Sequence, residues 1–142
     1  RAFFPPGTRG PMHASGIGKA LLAFYAPSRL DRIITAQGLP GFTPQTLTCP
    51  EALRADLARI RARGFAIDDQ ERTIGMRCVA APVFNSHGEP IAGISVSGPA
   101  FRIGVEQALA LGPTVRETAD RVTKVTGGMV PNLQTSPAET PR

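Results

Sequence analysis

Gly75-Met76-Arg77-Cys78-Val79-Ala80-Ala81-Pro82-Val83-Phe84, the polar stretch Asn85-Ser86-His87-Gly88-Glu89-Pro90, then Ile91-Ala92-Gly93-Ile94-Ser95-Val96-Ser97-Gly98-Pro99 read as two strands joined by a turn. In the second strand Ser95 and Ser97 stand two residues apart and so point to one face of the sheet. A buried hydroxyl without a partner costs about 1–3 kcal/mol, so on an otherwise apolar strand this pair is expected to find partners. Ala80, Ala81, Ala92, Gly93 and Gly98 surround it and leave space over the sheet. An apolar space with a few converging donors suits a small polar ligand.

Outward from the hairpin, Phe65-Ala66-Ile67-Asp68 alternates as a further strand, and a polar, irregular crossing through Glu71 and Thr73 leads into Gly75. Three helices precede it. Ser15 is a credible N-cap for a helix carrying Leu21, Leu22 and Tyr25, which Pro27 ends. A second opens at Ser28 with Leu30, Ile33 and Ile34, and a third runs from about Glu51 to Arg63 on the stripe Leu53, Leu57, Ile60, with Gly64 as its C-cap. After the hairpin a last helix is expected over Gly104 to Val125, with the stripe Val115, Ala119, Val122 and Val125 and a kink or break at Pro113. Arg1 to Met12 is rich in Pro and Gly, with Phe3 and Phe4 as a short strand, and Met129 to Arg142 reads as a disordered tail. Helices grouped before an antiparallel hairpin define an α+β class.

At 142 residues and 42% hydrophobic content the chain forms one domain with a core of its own, and no apolar run spans a membrane. Arg1 in place of an initiator Met suggests part of a longer gene product, without a signal peptide. Cys49 and Cys78 lack any paired metal or redox spacing, which fits a reducing cytoplasm. The net charge of +5 and pI near 10.2 invite a nucleic-acid reading. The arginines form no stripe, however, and Arg54, Arg59, Arg61 and Arg63 occupy the solvent side of an amphipathic helix.

Gly16-Ile17-Gly18-Lys19 opens a helix, where unpaired N–H groups at the positive end of the dipole bind anions. It is not a phosphate loop, since Ala20 stands where Ser or Thr must follow the lysine and His13 where a glycine is needed. The plain alternative is a Gly-rich helix start packed on the sheet. Cys78 is a small core hydrophobe, a ligand-lining thiol or a nucleophile; the two histidines, His13 and His87, offer it no convincing base. Asp68 and Asp69 end a strand, so one points inward, where Asp68 would accept from a ligand hydroxyl or order the site; the alternative is a solvated loop. No residue set has metal-ligand spacing, and nothing requires a cofactor.

The runs from Pro11 to Ala23, Leu39-Pro40 with Phe42-Thr43-Pro44 and Thr46-Leu47-Thr48, Arg63 to Glu71, Gly75 to Phe84 and Ile94 to Pro99 together resemble the effector-binding domain of IclR-type bacterial transcription regulators. The resemblance covers about Gly7 to Gly127, in order and in register. It implies a GAF-like domain over residues 1–128, with a curved antiparallel sheet flanked by helices, followed by the tail. It also implies binding of a small carboxylate, a 2-oxo acid such as glyoxylate or pyruvate. The carboxylate would lie against Gly16 and Ile17, with the other contacts at Asp68, Met76, Cys78, Ser95 and Ser97. Ile17 is bulkier than the small residue common there, which implies a tighter cavity. The family's winged helix-turn-helix and the first strands of its sheet are absent from this chain, so DNA binding belongs to that other part. The expectation is a non-enzymatic sensor in a dimer or tetramer; the alternatives are an enzyme using Cys78 and a pure oligomerisation module.

Overall fold

The computed structural model describes residues 9–131. Residues 75–99 form the expected hairpin, β2 (Met76–Phe84) paired antiparallel with β3 (Pro90–Pro99), and β1 (Ala66–Asp69) pairs antiparallel with the other side of β2. Among the described residues the order β1-β2-β3 leaves β3 at an edge. The helices are α1 (Gly16–Leu22), α2 (Pro27–Gln37), α3 (Pro50–Arg63) and α4 (Val105–Val125). Gly64 caps α3 in the left-handed region, at φ 85°, as its position promised.

Period-2 alternation divides the sheet between two apolar layers. Val79, Ala81 and Val83 of β2, with Phe65, Ile67 and Ile94, pack on Ala108, Val115 and Ala119 of α4. On the other face lie the small residues Ala66 and Ala80, below α1 and the layer of Ala20, Leu22, Ala23, Leu30, Leu53, Leu57 and Ile60. Phe84 reaches this side and meets Phe24 edge-on, 5.1 Å between ring centres.

Several boundaries differ from expectation. The first helix ends at Leu22 instead of Tyr25, and Pro27 starts α2 at N1, where its missing N–H costs nothing. Pro113 does not divide α4, which runs unbroken to Val125. Its buried stripe ends on Thr123, whose Oγ1 accepts from the Phe84 N–H at 3.1 Å, while Val125 is 86% exposed. On α3 Arg54 and Arg59 are exposed, but Arg61 and Arg63 are half-buried and donate to the Ala23 and Phe65 carbonyls. Their long stems cover apolar surface while the guanidinium groups find polar partners. Met129, at the start of the expected tail, donates from its N–H to the Asn85 carbonyl at 2.9 Å. The Phe3–Phe4 strand and residues 132–142 lie outside the described residues. No helix among the described residues is long and apolar enough to cross a membrane.

At the layer between sheet and α4, a Cβ on Gly112 would stand 2.2 Å from the Phe65 ring. Gly112→Ala therefore forces α4 off the sheet and is expected to lower stability by about 1–3 kcal/mol in denaturant titrations. Gly10→Ala, exposed and with open space at that position, serves as the control and should change it by less than about 0.5 kcal/mol.

Candidate functional site

Strand register places the expected site residues in two rows across the sheet. Asp68 of β1 stands opposite Cys78 of β2, which stands opposite Ser97 of β3; one step along, Ala66, Ala80 and Ser95 form the second row. Met76 flanks the first row on β2, opposite Pro99. The start of α1 closes over this face. A Cβ on Gly16 would lie 2.9 Å from Cys78 Sγ and 3.3 Å from the Ala80 Cβ, so only glycine lets the helix come this near. Ile17 rests on Gly93, its Cγ2 2.8 Å from where a Cβ there would be.

The helix start is capped from outside the site, with Ser15 Oγ accepting from the Gly18 N–H at 3.1 Å. The intrahelical ladder begins with the Lys19 N–H on the Ser15 carbonyl, so the N–H groups of Gly16 and Ile17 lie ahead of it. All seven expected residues thus converge on one face. One expectation is corrected: Ser95 and Ser97, on the outermost strand among the described residues, are exposed, so neither hydroxyl needs a partner within the protein. The open hollows along α2 (Ser28, Asp31, Arg32, Thr35, Ala36) and α4 (Pro113, Arg116, Glu117, Asp120, Arg121, Lys124) lie on helix surfaces away from this face. No group of His, Cys, Asp and Glu among the described residues is arranged to hold a metal ion.

Behind the site lies a feature that sequence reasoning missed. Lys19, only 1% exposed, extends from α1 to Asp56 Oδ2 of α3 (2.7 Å), the Ile67 carbonyl of β1 (2.7 Å) and Glu71 Oε2 (3.0 Å). Those contacts use its three protons. Glu71 Oε1, 2.9 Å from the same nitrogen, keeps the charge contact without a hydrogen bond of its own. Glu71 N–H in turn donates to Asp68 Oδ1 at 2.8 Å, and Asp69 N–H donates to Glu71 Oε2 at 3.1 Å. Thr46 Oγ1 accepts from the Phe42 and Thr43 N–H groups and donates to the Glu71 carbonyl, so the long connection after α2 is tied in as well.

Burial pushes the Asp68 carboxyl above its ordinary range; the Glu71 N–H and the Lys19 charge oppose this, and Asp69 adds to it. Burial likewise raises Glu71, against the charge and hydrogen bond of Lys19. For Asp69 burial is outweighed by hydrogen bonds from Arg77 and Gln70 and by the Arg77 and Lys19 charges, which hold it below that range. Cys78 is pushed up by burial, with the Ser97 and Ser95 hydroxyls opposing. A thiol kept protonated in this way, on a face without a histidine, is a poor nucleophile.

A three-stranded antiparallel sheet with helices on both faces defines an α+β, GAF-like domain. Residues 1–124 match the family described as bacterial transcriptional regulator IclR C-terminal, and the chain belongs to that family. The transcriptional regulator BhcR of Paracoccus denitrificans is 56% identical over 84% of this chain and 43% of its own length. The transcriptional repressor IclR of Escherichia coli is 43% identical over 88% of this chain and 46% of its own. The chain thus spans less than half of these relatives, which carry the names of regulators and not of enzymes. Among solved structures, the Agobacterium tumefaciens repressor BlcR superposes with a TM-score of 0.81 at 31% identity, over 87% of this chain and 51% of that one. The inducer binding domain of PobR from Acinetobacter, a double mutant in complex with 3-hydroxy benzoic acid, superposes at 0.77 with 27% identity, over 84% and 69%.

Removing the buried ammonium strands two carboxylates, so Lys19→Met is expected to cost about 3–5 kcal/mol in denaturant titrations. Adding Asp56→Asn and Glu71→Gln to that variant should recover a large part of the loss. The raised carboxyls also set a sign for pH. Asp68 and Glu71 bind protons more readily folded than unfolded, so their contribution is fully present below the ordinary carboxylate range and is lost as pH rises through the folded values. Melting temperature should therefore be higher at pH 5 than at pH 8, and Glu71→Gln should shrink that difference.

Proposed function

We propose that this domain senses a small organic acid for a bacterial transcription regulator, and that a 2-oxo acid such as glyoxylate or pyruvate is its effector. The observation that carries the reading is the Asp68–Cys78–Ser97 row with its Cys78 directly beneath Gly16, while Ile17 sits on Gly93 further along the same face. In this reading the effector carboxylate meets the first N–H groups of α1 and the hydroxyls of Ser95 and Ser97. Asp68, Met76 and Cys78 line the remainder. A small acid is favoured over an aromatic one by the close approach of Gly16 to Cys78 and of Ile17 to Gly93. Support for the general class comes from the PobR domain, an inducer binding domain that holds a benzoic acid.

The sensing mechanism in this reading makes and breaks no covalent bond. The acid binds one arrangement of the homo-oligomer better than another and so shifts the population competent to bind DNA through the N-terminal part of the longer regulator. A ligand of about five or six heavy atoms, at a ceiling of about 1.5 kcal/mol per atom, binds in the micromolar range or weaker once ordering costs are subtracted.

Isothermal calorimetry of pyruvate and glyoxylate into the purified chain tests this directly. The double variant Ser95→Ala with Ser97→Ala should lose at least tenfold in affinity, because it removes two hydrogen bonds to a carboxylate worth about 1.5–3 kcal/mol each. Its stability should change by less than about 1 kcal/mol, since both hydroxyls are exposed. A double variant that binds as the parent does would place the effector elsewhere.

A further inference from the structure

Three carboxyls crowd one ammonium behind the site. Lys19 forms ion pairs with Asp56 and Glu71, while Asp68, held through Oδ1 by the Glu71 N–H, forms none among the described residues. Charged and titratable groups stand around Lys19 and Asp68 on several elements. The α1 helix supplies Lys19. The α3 helix supplies Asp56, with the largely exposed Arg59 on its outer side. The end of β1 supplies Asp69, and the connection after it Glu71. From β2 come Cys78 and, on the opposite face, Arg77, which is committed to Asp69 at 2.7 Å. The row continues on β3 only with neutral Ser97. With all three carboxyls ionised, the group around Lys19 carries two negative charges in excess. Acceptors also outnumber donors, since the buried Glu71 Oε1 has no hydrogen-bond donor.

A 2-oxo acid seated beside Asp68 worsens both imbalances. Its carboxylate adds negative charge, and its carboxylate and carbonyl oxygens are all acceptors with no hydrogen to give. One proton on Asp68 cancels the charge the ligand adds and gives the ligand a donor. Resting on the effector reading above, we infer that Asp68 takes up one proton from solvent when a 2-oxo acid binds, and meets the ligand as a hydrogen-bond donor. Asp68 is the member of the trio suited to this, because Asp56 and Glu71 each spend a carboxylate oxygen on Lys19, whereas Asp68 lies in the row beside Cys78 under the start of α1. Burial already brings its carboxyl nearer to protonation than an exposed aspartate. The site then selects acids that only accept at this position over hydroxy acids, which would give their own proton to an ionised Asp68.

Calorimetry of pyruvate binding to the purified chain at pH 7, in phosphate and in Tris, tests the inference. The two buffers differ widely in ionisation enthalpy, so the expected result is a difference in heat equal to one proton taken up per site. Between pH 6 and pH 8 the Kd should weaken by up to tenfold per unit. Asp68→Asn keeps a carbonyl oxygen for the Glu71 N–H and supplies a permanent donor. It should bind pyruvate with equal heats in both buffers and a Kd that no longer varies with pH. Parent protein that binds pyruvate with no proton uptake overturns the inference and leaves the effector reading standing. So does an Asp68→Asn variant that still takes up the proton, or one that loses pyruvate while the parent prefers lactate. If Asp68→Asn fails to fold, the two-buffer measurement on the parent decides alone. No binding of either pyruvate or glyoxylate by the parent at millimolar concentration removes the effector reading and this inference together.

Discussion

The arrangement of this domain depends on one buried ammonium. Lys19 leaves a seven-residue helix and ends on a carboxylate of α3, a carbonyl of β1 and a carboxylate of the β1–β2 connection. An ion taken out of water in this way is tolerated only where its protons and the opposing lone pairs are nearly all matched. That requirement fixes where α1, α3 and the connection stand relative to one another. Apolar packing alone would let them slide, because α1 presents glycine and alanine, which interlock weakly. The ion pairs supply the register that small side chains cannot.

Those small side chains have a different consequence. Glycine at 16 and 93 lets α1 descend until Gly16 touches the Cys78 and Ala80 side chains and Ile17 fills the notch over Gly93. The polar row Asp68–Cys78–Ser97 is thereby brought beneath a helix start, beside the buried Ala66 and Ala80. On the opposite face β2 and α4 pack conventionally through Val79, Val83, Val115 and Ala119. One face of the sheet supplies stability of the ordinary kind, with the Arg77–Asp69 pair at its end, and the other face carries the Lys19 cluster.

Much of the fold was legible because it follows from period. Alternation identified β2 and β3, the stripe Leu53, Leu57, Ile60 identified α3, and Gly64 marked its end. The two-residue spacing of Ser95 and Ser97 correctly put them on one face; their exposure was not legible, since a strand does not declare from its own sequence that it is an edge. Val125 failed for a related reason. A 3.6-residue stripe extended one turn too far met solvent, where Thr123 had already ended the core. The Lys19 network left a signal that periodicity could have found. Asp56 occupies the core stripe of α3, three residues after Leu53 and four before Ile60, and a charge there must have a buried partner. Lys19, set among Gly18, Ala20, Leu22 and Ala23, is the corresponding misfit on α1. What the sequence alone does not show is that these two misfits meet, because 37 residues separate them.

The same network bears on how a small ligand could move a larger assembly. In the proposed reading the acid touches Gly16, Ile17 and Asp68. Lys19 lies on the next half-turn after Ile17, and Asp68 is bonded to the backbone of Glu71. These contacts, though not those with β2 and β3, are thus one step from the ammonium that sets the positions of α3 and the β1–β2 connection. Thr46 carries the link onward to the loop after α2 through the Glu71 carbonyl. A tenfold to hundredfold change in an assembly equilibrium needs only about 1.4–2.8 kcal/mol of coupling, a fraction of what five or six ligand atoms can supply at their ceiling. A charge cluster responds to one added charge or proton by that much without large displacement, whereas a packed apolar layer does not. The face built on charges is therefore the one able to sense an acid, and the face built on apolar packing is the one able to hold the fold while it does so.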